Sequence, residues 1–430
     1  LHRVDRRQRQ MCIRDRAWIV LLLELYDLHR AGDWKATVRG VATAASVGLV
    51  LYLFLFFLYS GGSRALLPRR GFASFLVAVS VLTLFWRYLY LRIIAQRAFM
   101  RRVLLVGAGK SGQVLLDMLD KMWPPPFEMV GIIDDDWEKI GPKVGKHVVF
   151  GGSERIQEVI VEHQITDIVV AISGEMRGRM FQALLDAQEK GVELTRMSTL
   201  YEELMQRVPI QLLDAYWLLR SFCDEARVSA FYRLGKRLLD IVGGLIGCLG
   251  LAVIFPFIAL AIWIDSGRPI FYSQVRLGRG GKPFRMIKFR TMRQDAEADG
   301  KAVWAVEADE RATRVGRFLR KTHLDETPQF ISVLRGEMSL VGPRAERPEM
   351  IEALQQNVPF YRARLLVKPG ITGWAQVNYG YGSSINAAMV KLEHDLYYIK
   401  HRNLWLDILI LLRTPWWVLG LRGQLSLIHI

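Results

Sequence analysis

Cysteine is almost missing. The 430 residues hold three, Cys12, Cys223 and Cys248, odd in number and scattered. They make neither a disulfide framework nor a Cys-x-x-Cys metal site, which fits a reducing, cytoplasm-facing environment. Zinc-finger spacing, an RNP-type aromatic motif and a repeated basic helix are also lacking, so no nucleic-acid partner is expected. Acid is the minority charge: 42 Asp and Glu stand against 58 Lys and Arg, a net charge of +16, with pI near 9.9 and a positive mean hydropathy. Basic and hydrophobic together point to an anionic membrane surface. The length allows two or three domains.

Both ends break from the rest. The stretch 1–16 lacks an initial Met and any periodicity, and 424–430 departs from the text before it. They are read as a non-native leader and tail and set aside. Within the expected transmembrane region, 17–97, the stretch 38–60 is long enough to cross a bilayer, which takes ~20 residues. Residues 72–91 form a second candidate, marred only by Arg87. The stretch 17–26 is too short and reads as the stump of a lost helix. Basic flanks on the outer sides of the pair place them in the cytoplasm.

The third apolar stretch, 238–264, differs in kind. Pro256 sits inside it, where a helix must kink. Arg233, Lys236 and Arg237 precede it, and eight basic residues with no acid follow between Arg268 and Arg293. A straight span would export one basic flank, against the orientation rule. A re-entrant helix, turning at Pro256 and leaving on the side it entered, avoids this; an ordinary spanning helix is the alternative.

Residues 98–228 alternate buried strands and amphipathic helices, the pattern of a Rossmann-like, doubly wound parallel sheet. A strand at 102–107 runs into Gly107-Ala108-Gly109-Lys110-Ser111-Gly112, a G-x-G-x-x-G in strand-to-helix context. Gly107, Gly109 and Gly112 either cradle a nucleotide or simply close a tight turn. A Walker A loop is excluded, because its first glycine would fall on Leu104. Dehydrogenase chemistry lacks its Tyr-x-x-x-Lys pair, since Lys190 and Tyr201 do not fit.

The densest chemistry lies in RFLRKTHLDETPQFISVLRGEMSLVGPRAERPE, residues 317–349. Asp325 and Glu326 stand side by side before Thr327-Pro328, a helix-start signal, and Gly336 predicts where that helix stops. Arg317, Arg320, Lys321, His323, Arg335 and Arg344 surround the pair. Two acids among many bases suggest a nucleophile or metal ligand working on a phosphorylated substrate; a solvated Asp-Glu at a helix end is the bland alternative. Upstream, 271–274 and 284–289 predict a strand pair joined by the glycines of 278–281. Its cations serve either anionic lipid or a phosphate cradle.

At this point the text from Lys236 to Arg422 resembles the bacterial sugar transferases, the monotopic polyprenyl-phosphate hexose-1-phosphate transferases. The matching blocks are KRLLD, the Pro-broken membrane helix, FYSQVRLGRGGKPFRMIKFRTM, LDETPQ, LRGEMSLVGPR and KPGITGWAQV. The whole chain resembles the large exopolysaccharide-biosynthesis members. The resemblance implies an α/β membrane protein with N-terminal transmembrane helices, a Rossmann-like middle domain, and an α+β catalytic domain at 229–423 containing the re-entrant helix. It implies transfer of a hexose 1-phosphate from a UDP-sugar to polyprenyl phosphate at the cytoplasmic face of the bacterial inner membrane. Asp325 would be the nucleophile, with Glu326 its partner at Mg²⁺. Arg320 and Arg344, with Lys288 and Arg290, would bind substrate phosphates, and Pro256 would break the membrane helix. Thr327, Phe330 and Ala345 depart from the usual pattern, but none removes a charged group. A symmetric homodimer is the default oligomer, and no residue reports which hexose is accepted.

Overall fold

The computed structural model describes residues 69–89, 100–122, 125–172, 178–212, 229–293, 311–380 and 384–418, with isolated positions between 38 and 53 and at 174 and 176. The leader 1–16, the stump 17–26, most of the 38–60 stretch, and the tail 424–430 lie outside these residues. The chain divides into two compact units, Leu1–Leu200 and Tyr201–Ile430.

In the first unit, α1 (Arg69–Leu89) forms where the second apolar stretch predicts a helix. Its apolar part, Gly71–Trp86, is short for a span. A six-stranded sheet follows, in the order β3-β4-β2-β1-β5-β6. Its strands are β1 (Arg102–Val106), β2 (Glu128–Ile133), β3 (Lys143–Val144), β4 (His147–Gly151), β5 (Asp167–Val170) and β6 (Glu193–Arg196). All pairings are parallel except β3 with β4. Helices α2 (Lys110–Asp120), α3 (Trp137–Ile140), α4 (Ile156–His163) and α5 (Gly178–Glu189) connect the strands. Covered strands read as continuous apolar runs, and Leu104, Leu105, Val106, Ile132, Ile133 and Ile168 are fully buried. Helix α6 (Met197–Met205) runs across the boundary between the units.

In the second unit, Val208 and Ile210 pack in the core with Val333, Leu392, Leu396 and Ile399.

Helix α7 (Ala230–Ser266) opens with Ser229, whose side chain accepts from the Tyr232 N–H. Among the described residues it is the one helix long and apolar enough to cross a membrane. It is longer than the expected 238–264, and the helix is continuous through Pro256, which removes one N–H bond and crowds one carbonyl there. Leu245, Ile246, Leu249, Val253 and Phe257 are exposed along its length.

Both ends of α7 are tied to the same unit. At the first end, Lys236 Nζ pairs with Asp407 at 2.9 Å, and Arg237 donates to the Val333 and Leu334 carbonyls at 3.0 and 2.9 Å. Asp240 accepts from Ser339 Oγ and Leu340 N, both at 2.9 Å. At the other end, Asp265 accepts from Val315 N at 3.0 Å.

Next come β7 (Phe271–Leu277) and β8 (Pro283–Phe289), the predicted hairpin, with Tyr272 opposite Lys288. Then follow α8 (Arg314–Thr322), α9 (Gln329–Arg335), β9 (Ser339–Val341), α10 (Pro348–Gln355), β10 (Gly370–Thr372), α11 (Trp374–Asn378), α12 (Ile385–His401) and α13 (Leu404–Val418). Gly336, left-handed at φ 84°, ends α9 as predicted. Pro415 lies within α13, whose inner residues Leu406 and Ile410 join the core while Trp405 stays exposed.

Gly243, Gly244 and Gly247 share the α7 face that carries Lys236 and Asp240. A Cβ on Gly247 would overlap the Phe330 ring of α9, and one on Gly243 would overlap Leu340. Glycine in a helix interior normally costs ~0.5–1 kcal/mol relative to alanine; here it permits close contact. Gly247→Ala is therefore expected to lower stability by about 1–3 kcal/mol, read by thermal unfolding in detergent. Adding Phe330→Leu should recover part of the loss. A stabilising Gly247→Ala would contradict this packing.

Candidate active site

Asp325 and Glu326 lie in a single 3-10 turn, Leu324–Glu326, between α8 and α9. His323 creates the corner: it ends α8 in a left-handed conformation, φ 55°. Thr327 does not cap α9 as the sequence suggests; its hydroxyl donates to the Leu324 carbonyl at 2.8 Å and tightens the turn instead.

The two carboxylates have different surroundings. Glu326 Oε1 accepts from Lys288 Nζ at 2.6 Å and from Arg344 Nη2 at 2.5 Å, while its Oε2 faces Arg344 Nη1 at 3.3 Å. Burial alone would raise its pKa, but Arg344 and Lys288 overturn that effect and hold the carboxyl far below the usual range. Asp325 is also buried. Burial pushes its carboxyl up to about 6, reinforced by Glu326 and opposed by Lys288 and Arg344. Lys288 is pushed below the ordinary lysine value by burial and by Arg344, against the pull of both acids. Burial lowers His323 too. Neighbouring acids with pKa values driven apart are the pattern of divided catalytic roles.

The remaining expected residues are distributed unevenly. Arg320 sits in the last turn of α8, just before the acidic turn, and has no ion-pair partner among the described residues. Arg290 lies elsewhere. Its Nη2 donates to the Ser266 and Gly267 carbonyls at 2.6 and 2.7 Å and to Ser266 Oγ at 2.8 Å. It thus caps the negative end of α7 instead of facing the acid pair. Arg276, one of the cations of the predicted strand pair, stands behind Arg344 together with Glu346 and Arg364, which sequence reasoning passed over. Only the fold brings them together. Asp395 pairs with Arg364 at 2.8 Å in that cluster. His394 is buried, and burial pushes its pKa down to about 3.

No cluster of three or more acidic, His or Cys ligands exists among the described residues. The acid pair nevertheless suits Mg²⁺, which typically takes one or two carboxylates plus substrate phosphates and water. Glu326 already carries two cations, so the protein's hold on such an ion would fall mainly on Asp325.

In the first unit, Gly107 has φ 105° and packs against Ala171, and a Cβ on Gly112 would overlap the Gly107 carbonyl. Gly109 faces open space. The Ala108 N–H donates to Asp134 Oδ2 at 2.7 Å. These contacts favour the tight-turn reading of the glycines, with one loop N–H already satisfied by a carboxylate.

Comparison with known proteins agrees with this division. Residues 231–420 match the model of the bacterial sugar transferase family, and residues 22–196 match a CoA-binding domain family. The UDP-N-acetylgalactosamine-undecaprenyl-phosphate N-acetylgalactosaminephosphotransferase of Aeromonas hydrophila is 42% identical over 186 residues, 43% of this chain and 44% of that one. The undecaprenyl-phosphate glucose phosphotransferase of Komagataeibacter xylinus is 29% identical over 331 residues, 74% of this chain and 59% of that one. The UDP-glucose:undecaprenyl-phosphate glucose-1-phosphate transferase of Escherichia coli (strain K12) is 32% identical over 324 residues, 73% of this chain and 67% of that one. The chain thus spans from under half to two thirds of the length of these relatives. The acid pair and its two cations lie wholly within the part that matches, and on that likeness the chain belongs to the bacterial sugar transferase family.

Proposed function

We propose that the chain transfers a sugar 1-phosphate from a UDP-sugar to a polyprenyl phosphate, releasing UMP and leaving a polyprenyl diphospho-sugar. The observation that carries this reading is the unequal acid pair. Glu326 has both oxygens engaged by Lys288 and Arg344. Asp325 is more basic, yet a carboxyl titrating near pH 6 is mostly ionised at pH 7. The more basic carboxylate is the better nucleophile. An Asp325 oxygen attacks the β-phosphorus, the bond to the bridging oxygen breaks, and UMP leaves with the electron pair. A polyprenyl phosphate oxygen then attacks the same phosphorus and the aspartyl bond breaks, restoring the carboxylate. The sugar C1–O bond is never touched, so the anomeric configuration is retained. Splitting the transfer lets the soluble donor leave before the lipid reacts.

Cations meet the charge of the transferring phosphoryl group. Arg320, in the last turn of α8, would take donor phosphate, and Arg344 and Lys288 already lie at the pair. Mg²⁺, held mainly by Asp325 with Glu326 adjacent, would supply further charge neutralisation.

The attachment of both α7 ends to the unit bearing Asp325 supports a helix that enters and leaves the bilayer on one side. The basic flanks make that side the cytoplasmic one, in the bacterial inner membrane, with the N-terminal helices as further spans. The exposed apolar residues of α7 would then lie in lipid, and the acid pair near the interface where a lipid phosphate sits. The relatives differ in their sugar, so the donor class is a UDP-hexose or UDP-N-acetylhexosamine. This places the reaction at the first membrane step of surface-polysaccharide synthesis.

The test is UMP release from a panel of UDP-sugars, using membranes containing the protein, polyprenyl phosphate and Mg²⁺. One sugar should support release, and chelation should stop it. Failure with every UDP-sugar, from protein shown to be folded, would overturn the reading. Because the nucleophile must be ionised, kcat/KM should fall about tenfold per pH unit below an inflection near pH 6. An acid limb at pH 4 would remove Asp325 as the group responsible.

A further inference from the structure

Arg344 reaches Glu326 from an irregular segment. β9 ends at Val341, and the chain then runs through Gly342 and Pro343 to Arg344, whose backbone forms an isolated bridge to Gly370. The Gly342 N–H donates to the Thr372 carbonyl at 2.9 Å and the Gly370 N–H to the Pro343 carbonyl at 2.8 Å. A long side chain on such a segment depends on main-chain placement for its reach. Two other arginines extend this hold to Arg344 and Ala345. Arg364 Nη2 donates to the Arg344 carbonyl at 3.2 Å, and Arg276 Nη1 donates to the Ala345 carbonyl at 3.1 Å. The adjacent Leu277 N–H donates to the Glu346 carbonyl at 3.1 Å.

Each arginine is itself held from several sides. Arg364, on the turn Tyr361–Leu366, pairs with Asp395 of α12 at 2.8 Å, with Glu346 at 3.3 Å, and with the Tyr361 hydroxyl at 2.5 Å. Arg276, on β7, donates to Gln274 Oε1 at 2.7 Å and lies 3.8 Å from Glu346. The result is an alternating row of charges directly behind Arg344, with Asp395 and Arg364 buried and Glu346 and Arg276 partly buried. Buried ion pairs are poor sources of net stability compared with well-packed apolar residues, so the row calls for another purpose. Geometry supplies one, because both guanidinium groups grip the main chain of a residue that touches the acid pair.

We propose that Arg276 and Arg364 are positioning residues for the acid pair, holding the main chain of Arg344 and Ala345 so that the Arg344 guanidinium stays on Glu326. Neither donates a hydrogen bond to the acids, although Arg276 also feels the charge of Glu326; the positioning effect passes through Arg344. Loss of the grip lets Arg344 recede from both carboxylates. The Arg344 guanidinium should then become more accessible to reagents. A purely structural role would lower stability without freeing Arg344 in the folded chain.

The transferase reading is needed only for the kinetic half of the test. The chain in detergent is treated with phenylglyoxal, which modifies accessible guanidinium groups, and modification of Arg344 is followed by peptide mass spectrometry. Arg276→Gln and Arg364→Lys should speed modification of Arg344 several-fold, with Arg276→Lys in between. In the same preparations, kcat for UMP release should fall about 10- to 100-fold, the cost of an ångström-scale misplacement. Unchanged Arg344 reactivity in folded Arg276→Gln would overturn the proposal, even if turnover fell. Faster modification in a chain that turns over no UDP-sugar would uphold the positioning and overturn the transferase reading instead.

Discussion

Asp325→Asn is expected to reduce UMP release by about 10⁴-fold or more while making the protein more stable. Asparagine keeps the shape and loses the nucleophile. The stability gain follows from the direction of the titration. In the folded chain Asp325 titrates near pH 6, above its ordinary 3.8, because burial disfavours its charge. The fold therefore prefers the neutral acid, and holding the carboxylate ionised costs stability at every pH above about 6. Removing that charge should raise stability by about 1–3 kcal/mol at pH 8. The gain should vanish below about pH 4, where the acid is neutral in both folded and unfolded chains. Such a trade of stability for function is what a buried nucleophile predicts. Thermal unfolding of both proteins at pH 8 and pH 4, in one detergent, measures it. Lower stability of Asp325→Asn at pH 8 would show that the charge is compensated, and the argument for its basicity would fail.

Glu326→Gln should do the reverse to stability. The glutamine leaves Lys288 and Arg344 crowded together without their common anion, and breaking a buried pair typically costs about 3–5 kcal/mol. Here the folded carboxyl titrates below its ordinary 4.5, so the ion cluster stabilises the fold at neutral pH. That contribution is present above about pH 4.5 and is lost as the pH falls through the depressed folded value. The gap between Glu326→Gln and the parent chain should thus be widest at neutrality and narrow on acidification. Turnover should fall as well, since Lys288 and Arg344 would no longer be anchored beside Asp325. Adjacent residues in one turn are therefore predicted to change stability with opposite signs. The same unfolding series reads both, and equal signs would contradict the division of roles.

Much of this arrangement was legible in the residues because it is local. The alternation of buried strands and helices in the first unit, the glycine turns, the hairpin at β7 and β8, and the stop of α9 at Gly336 all follow from short-range preference. The acid pair itself stood out by its neighbours. Long-range pairing was not legible in the same way. Lys288 and Glu326 are 38 residues apart, and nothing nearby in sequence separates Lys288, which reaches the acids, from Arg290, which caps α7. Spacing did hold an unread signal: Lys236, Asp240, Gly243 and Gly247 lie on one helical face, which marks where α7 docks. The row behind Arg344 joins residues from β7, the segment after β9, the turn at 361–366 and α12. No sequence pattern connects these places.

The most direct test of the account is to look for the aspartyl-phospho-sugar. Full-length protein in lipid nanodiscs lacking polyprenyl phosphate is mixed with Mg²⁺ and the UDP-sugar it accepts, then quenched and weighed intact. The account predicts a mass gain of one sugar phosphate on the peptide containing Asp325, at most one UMP released per chain, and discharge of the adduct when polyprenyl phosphate is added. No adduct, with UMP appearing only when donor and lipid are present together, would mean direct transfer and would remove Asp325 as the nucleophile.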